Sequence, residues 1–260
     1  MRFSSIPWMP SLHMQFLFLL HITAGLVALV VAPLAMIVGK GGDWHRRWGK
    51  TFFYAMSIVV VTAIILGILR TNLLMAMVAI FSFHMIASGY RALYLKRLHE
   101  GQRPARMDII IMGLAGLMNG GLFLWGATHL ALGHRNSAPI IFLVFGLVGL
   151  TFVWRDLQRF YQRESDRREW LYAHMTGFLG GYIATVSAFS AVNMEFIRPA
   201  WLQWLWPTIV GTPLIILWVR HYKKKLASGR RLRNELDIRI VGSTSHHRTE
   251  TKRSRSSRRR

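Results

Sequence analysis

The segment that decides the fold is residues 12–69, LHMQFLFLLHITAGLVALVVAPLAMIVGKGGDWHRRWGKTFFYAMSIVVVTAIILGIL. It holds two apolar runs joined by a short string, Lys40 to Lys50, that collects nearly all of its charge. A helix needs roughly 20 apolar residues to cross the hydrocarbon core of a bilayer, and each run is that long. Water-exposed helices would carry charge along their length. Here charge is confined to the connection, so the pair reads as two membrane spans with a basic turn between them.

The same pattern recurs along the rest of the chain. Spans are predicted at about 12–38, 48–69, 72–94, 108–131, 138–155, 170–192 and 201–220. The fold class that follows is an all-α membrane protein, a bundle of seven transmembrane helices over residues 1–222, followed by a basic, disordered tail over 223–260. Composition agrees: of 260 residues, 52% are hydrophobic and 17% charged, where soluble domains carry about 25% charge. The tail has too few apolar residues to build a core. With no cysteine, disulfides, thiolate metal sites, iron–sulfur clusters and cysteine nucleophiles are all excluded.

Charge in the connections sets the orientation. Arg2, Arg70, Arg135 and Arg198 fall singly in alternate connections. The other set is crowded: Lys40, Arg46, Arg47 and Lys50, then Arg91, Lys96, Arg97, Arg103 and Arg106, then Arg155, Arg159, Arg163, Arg167 and Arg168, then the tail. Basic residues near span ends stay on the cytoplasmic side. Seven spans therefore place the N-terminus outside and the C-terminus in the cytoplasm. Trp8, Trp48, Trp154, Trp170, Trp201, Trp204 and Trp206 fall at predicted boundaries, where tryptophan anchors at the headgroups.

Lipid satisfies no backbone hydrogen bonds, and membrane helices pack through small residues. Gly177, Gly181, Thr185 and Ala188 share one face of the sixth span; Gly113, Gly116 and Gly120 recur in the fourth, and Gly25, Ala28 and Ala32 in the first. These are predicted packing seams. Against them stand three intramembrane histidines: His21 and His174 on seams, and His84 on a face with Ser88 and Arg91. Ionisable groups facing a bundle interior mark functional sites. Two imidazoles from different helices can clamp a haem b iron axially, so His21, His84 and His174 are candidate cofactor ligands. They could equally bind another metal, relay protons or bond a neighbouring hydroxyl. No span carries two histidines four turns apart, so at most one haem would be bridged. Asn119 is expected to bond across helices, Asp108 to sit at a helix N-terminus, and His129 and His134 to lie in a solvated loop.

In the first basic loop, two glycines permit a tight turn, and His45, Arg46 and Arg47 are candidates for contact with lipid headgroups or phosphate. The tail is likewise expected to touch anionic lipid, with no specific nucleic acid as partner and no protein partner specified.

The run LHITAGLVALVVAPLAMIVGKGGDWHRRWGKTF, with His21, Gly41, Gly42, His45, Arg46 and Gly49, resembles the opening of a family of bacterial multipass membrane proteins defined as a domain of unknown function. The strings around His174, Asn193, Pro207, Gly211 and Pro213 are similar to that family's closing spans. The likeness covers most of residues 17–220 and implies a bacterial inner-membrane protein, with little chemistry attached.

Three functions compete: single-haem electron transfer, small-molecule or proton-coupled transport, and a non-catalytic scaffold or accessory subunit. No G-x-S-x-G, no HExxH and no paired intramembrane carboxylates stand in the sequence, which disfavours a hydrolase or transferase.

Overall fold

The computed structural model describes residues 12–70, 73–162 and 166–227. The basic tail from 228 onward, and Arg2, Trp8 and Arg163, lie outside the described residues. Among those described there are seven α-helices and no strand. They are α1 (Leu12–Ile37), α2 (Asp43–Leu69), α3 (Leu73–Ala92), α4 (Arg106–Ala131), α5 (Ser137–Tyr161), α6 (Glu169–Asn193) and α7 (Ala200–Ala227). Six of them, all but α3, are long and apolar enough to cross a membrane.

Contacts at the helix ends fix an alternating arrangement. At one end, His45 at the start of α2 reaches Ala35 near the end of α1, and Arg91 near the end of α3 holds Asp108 at the start of α4. Arg168 beside the start of α6 reaches Leu226 near the end of α7. At the other end, Trp206 near the start of α7 bonds Ser190 near the end of α6, and Gly126 of α4 lies against Pro139 and Leu143 of α5. Successive helices therefore run in opposite directions. The crowded basic connections gather at the first end, called the basic end below.

The shortest helix is the hub. α3 packs against α2, α4, α5 and α6. One core joins Val78, Phe81 and Met85 of α3 to Phe145, Ala184, Trp204 and Leu205 of α5, α6 and α7. A second joins Ile86 of α3 to Ala28, Ala32, Phe52 and Met56 of α1 and α2. The outward faces stay apolar, with Leu26, Val30, Ile68, Leu114, Leu117 and Leu217 all exposed. In water this surface would be an association hazard. In lipid it is solvated.

Small residues decide how closely the helices approach, as expected for α6. A Cβ at Gly177 would lie 2.6 Å from the Gly89 Cα and 2.6 Å from the Met85 carbonyl, so α3 and α6 meet backbone to backbone. Thr185 continues that face onto Met56, but Ala188 has rotated to the exposed side. On α4 the predicted seam is displaced. Gly113 and Gly120 face open space, Gly116 makes only ordinary contact with Val153, and the close contact with α5 runs through Asn119 and Phe123 against Gly146 and Gly149 and through Gly126 against Pro139 and Leu143.

Four sequence expectations need correction. α2 begins at Asp43, so His45, Arg46 and Arg47 are helical and not loop. Gly41, at φ 78, makes the turn that allows this, and Asp43 sits in the first helical turn, where a carboxylate suits the dipole. α5 continues past Arg155 to Tyr161, because no glycine or proline interrupts it. α7 runs through Pro207 and Pro213 to Ala227, beyond the expected boundary at 222. Trp204, read as an interfacial anchor, is buried in the core.

Candidate functional site

The site is built on three residues of α3. His84, Ser88 and Arg91 are spaced i, i+4 and i+7, so they form one stripe. The extended part of α5 brings Asp156 and Arg159 to that stripe, α4 brings Asp108, and α6 brings Glu169. Asp156 is the centre. One carboxylate oxygen, Oδ2, accepts from Ser88 Oγ at 2.6 Å and lies 3.2 Å from His84 Nε2. The other, Oδ1, stands 2.5 Å from Arg159 Nη1. Neither the His84 nor the Arg159 contact is aligned as a hydrogen bond, and the Arg159 contact acts through charge. His84 is 2% and Asp156 5% exposed, and His84 Nδ1 has no partner.

A second ion pair flanks the first. Arg91 grips Asp108 with both arms, Nε to Oδ1 at 2.6 Å and Nη2 to Oδ2 at 3.0 Å. Asp108 also accepts from the Ala105 backbone at 2.8 Å, which caps α4 as its place in the sequence predicts. Arg159 Nε lies 3.9 Å from Glu169. The cluster thus sets two guanidiniums against three carboxylates. One negative charge is left over, and a single proton on the His84–Asp156 pair cancels it.

Ser88, Arg91, Asp108, Asp156 and Arg159 line a cleft of ≈ 30 Å³, finished by apolar groups such as Met112. That volume holds about two waters. Arg91, a third exposed while Asp108 is buried, stands where the cleft meets the surface at the basic end. The arrangement can hold, move and rehydrate a proton between a buried imidazole and a buried carboxylate.

The three sequence-predicted histidines are each committed to a different neighbour. His84 faces Asp156. His21 donates from Nδ1 to Thr62 Oγ1 at 2.9 Å, Thr62 in turn bonding the Ile58 carbonyl. His174 donates from Nδ1 to the Gly89 carbonyl at 3.1 Å. Among the described residues no group of three or more His, Cys, Asp or Glu could hold a metal ion. The contacts instead bring His174 to His45, with ring centroids 6.3 Å apart. His45 is therefore turned inward, its Nδ1 on the Ala35 carbonyl at 2.9 Å, while Arg46 pairs with Asp43 and Arg47 lies over Trp44. Asn119, expected to bond across helices, donates to Ala115 of its own helix; its Oδ1 has no partner and packs on Gly149. His129, expected in a solvated loop, lies instead in the last turn of α4, half-buried and stacked on Trp125 with ring centroids 3.8 Å apart, while His134 follows in the exposed connection as expected.

Asp156 is the residue that sequence reading missed. Ending the fifth span at Arg155 made it a loop charge. The signal was present: Asp156 and Arg159 at i, i+3, with Leu157 and Phe160 continuing the apolar pattern.

A helical fold with six helices of membrane-spanning length around a buried ionic cluster defines a multipass membrane protein. No protein-family model, curated protein or solved structure matches the chain.

Proposed function

We propose that the chain is a proton-coupled carrier of the bacterial inner membrane, with seven spans, its N-terminus outside and its basic end in the cytoplasm. The crowded lysines and arginines at one end of the bundle support that orientation. α3, apolar up to Arg91 and packed among four longer helices, is the seventh span. Contact of the exposed Arg46 and Arg47 with anionic headgroups fits the same orientation.

The observation that carries the reading is the His84–Asp156 pair, buried among helices that lipid surrounds. Charge in such a place is expensive and is kept where it moves ions or protons. Histidine is the side chain whose unperturbed charge changes near neutral pH. The water-sized cleft is lined by Asp156 and by the third-exposed Arg91, which supports exchange of a proton with water at the basic end. In proteoliposomes with an imposed pH gradient, dye-reported proton flux should be at least tenfold lower in His84→Ala and Asp156→Asn than in the natural chain. Equal flux in all three would reject the carrier and favour a scaffold or accessory subunit packed through its glycine contacts.

A further inference from the structure

A different pair of histidines, which the carrier reading leaves unused, sits deeper in the fold than its sequence position suggests. We propose that His45 and His174 form a two-imidazole coordination site for a transition-metal centre, supplied either as a free ion or as haem iron. Each ring is fixed by a bond to a helix other than its own. His45 Nδ1 lies 2.9 Å from the Ala35 carbonyl at the end of α1, and His174 Nδ1 lies 3.1 Å from the Gly89 carbonyl on α3. A carbonyl oxygen can only accept, so Nδ1 carries the hydrogen in both rings. In neutral imidazole that leaves the lone pair on Nε2, the form that binds a metal. Neither Nε2 has a hydrogen-bond partner among the described residues. A backbone carbonyl on one nitrogen, with the other left open, is how proteins orient ligating histidines.

The spacing fits. Ligating nitrogens stand about 2.0–2.1 Å from a bound ion, which puts two ring centroids that share it about 5–6.5 Å apart. The observed separation is 6.3 Å, with the planes at 79°. The Gly89 carbonyl is held in place by a close backbone contact between α3 and α6, since a Cβ at Gly89 would meet Phe178 at 2.9 Å and the Gly177 Cα at 3.0 Å. No third His, Cys, Asp or Glu completes the set among the described residues. Further positions fall to solvent or to a porphyrin. The nearby Lys40, Arg46 and Arg47 suit a centre that brings negative charge with it, such as the carboxylates of a haem or an anion on a free ion.

The test separates the two sources. The full chain is purified through a tag without histidine, in a background where the tail histidines and the neighbouring pair at the other end are changed (His129→Gln, His134→Gln, His246→Gln, His247→Gln). One arm records the absorption spectrum of protein from haem-replete cells. The other titrates colourless protein with Cu(II) and reads the nitrogen couplings by electron paramagnetic resonance. A Soret band with a bis-imidazole reduced spectrum assigns haem iron; one Cu(II) per chain with two imidazole nitrogens assigns a free-ion site. Either signal should fall at least tenfold in His45→Gln and in His174→Gln and survive in His84→Gln. Absence of both signals, or their persistence in the His45 and His174 variants, overturns the site. Should those variants fail to fold, the nitrogen count or the axial-ligand spectrum of the background protein decides alone, and fewer than two imidazoles overturns it.

Discussion

Replacing Gly177 by alanine isolates one physical quantity, the distance between two helix backbones. The new Cβ would stand 2.6 Å from the Gly89 Cα, 2.6 Å from the Met85 carbonyl and 2.8 Å from the Gly89 nitrogen. All three are backbone atoms, so no side chain can swing away and α3 and α6 must separate. Overpacking of this kind costs about 1–3 kcal/mol, and alanine returns up to about 1 kcal/mol in helix propensity. The variant also pulls His174, three residues earlier, away from the carbonyl of Gly89, a loss of about 1 kcal/mol. The net expectation is a loss of about 1–3 kcal/mol, or a Tm lower by roughly 2–12 °C at about 2–4 °C per kcal/mol for a chain of this size. Gly113→Ala is the paired control, because its Cβ would meet nothing within 4 Å. It should melt at or slightly above the natural protein. Detergent-solubilised protein, heated and assayed for monodisperse elution, gives both values. If Gly177→Ala melts with the natural chain, or Gly113→Ala melts below it, the close α3–α6 contact is not what holds the hub in place.

Further outcomes follow from the ionic cluster and the helix ends. Arg91→Ala leaves the Asp108 carboxylate, 4% exposed, with only a backbone partner, and should cost about 3 kcal/mol in the same melting assay. Asp156→Ala strands Arg159, 10% exposed, and removes the acceptor of Ser88, with a loss of about 3–5 kcal/mol, whereas Asp156→Asn should lose flux and keep most of the stability. Trp206→Phe removes the 2.7 Å bond to Ser190, whose exposure is 0%, and should lower stability by about 1–2 kcal/mol. Arg46→Ala breaks an exposed pair with Asp43 and should change melting by less than about 0.5 kcal/mol.

The parts of this account legible in the sequence are those set by solvent. Lipid forces long helices, and the run from Leu12 to Leu69 could hardly hide two of them. The position of His84 on a stripe with Ser88 and Arg91 could be counted from helical spacing alone. Partners across helices could not. Nothing in the sequence says that the face of His84 meets Asp156, because that depends on α5 running six residues beyond the last apolar stretch and on α3 lying at the centre. Charged residues at a span end look alike whether they face water or one another. Likewise the glycines of α4 obey the same spacing on two faces, and only packing shows that Gly126, not Gly113, meets α5. His45 was hidden by its neighbours: a histidine between Trp44 and Arg46 reads as a headgroup contact until α2 is seen to start at Asp43 and turn the ring toward α6.

The central claim is that one exchangeable proton resides on the buried pair formed by His84 and Asp156. Infrared difference spectroscopy of the protein in liposomes, with pH stepped on the side of the basic end, observes that proton directly. The account predicts an imidazole or carboxyl band that appears on the step, disappears in His84→Gln and shifts in Asp156→Asn. Identical difference spectra for the natural chain and both variants would contradict it.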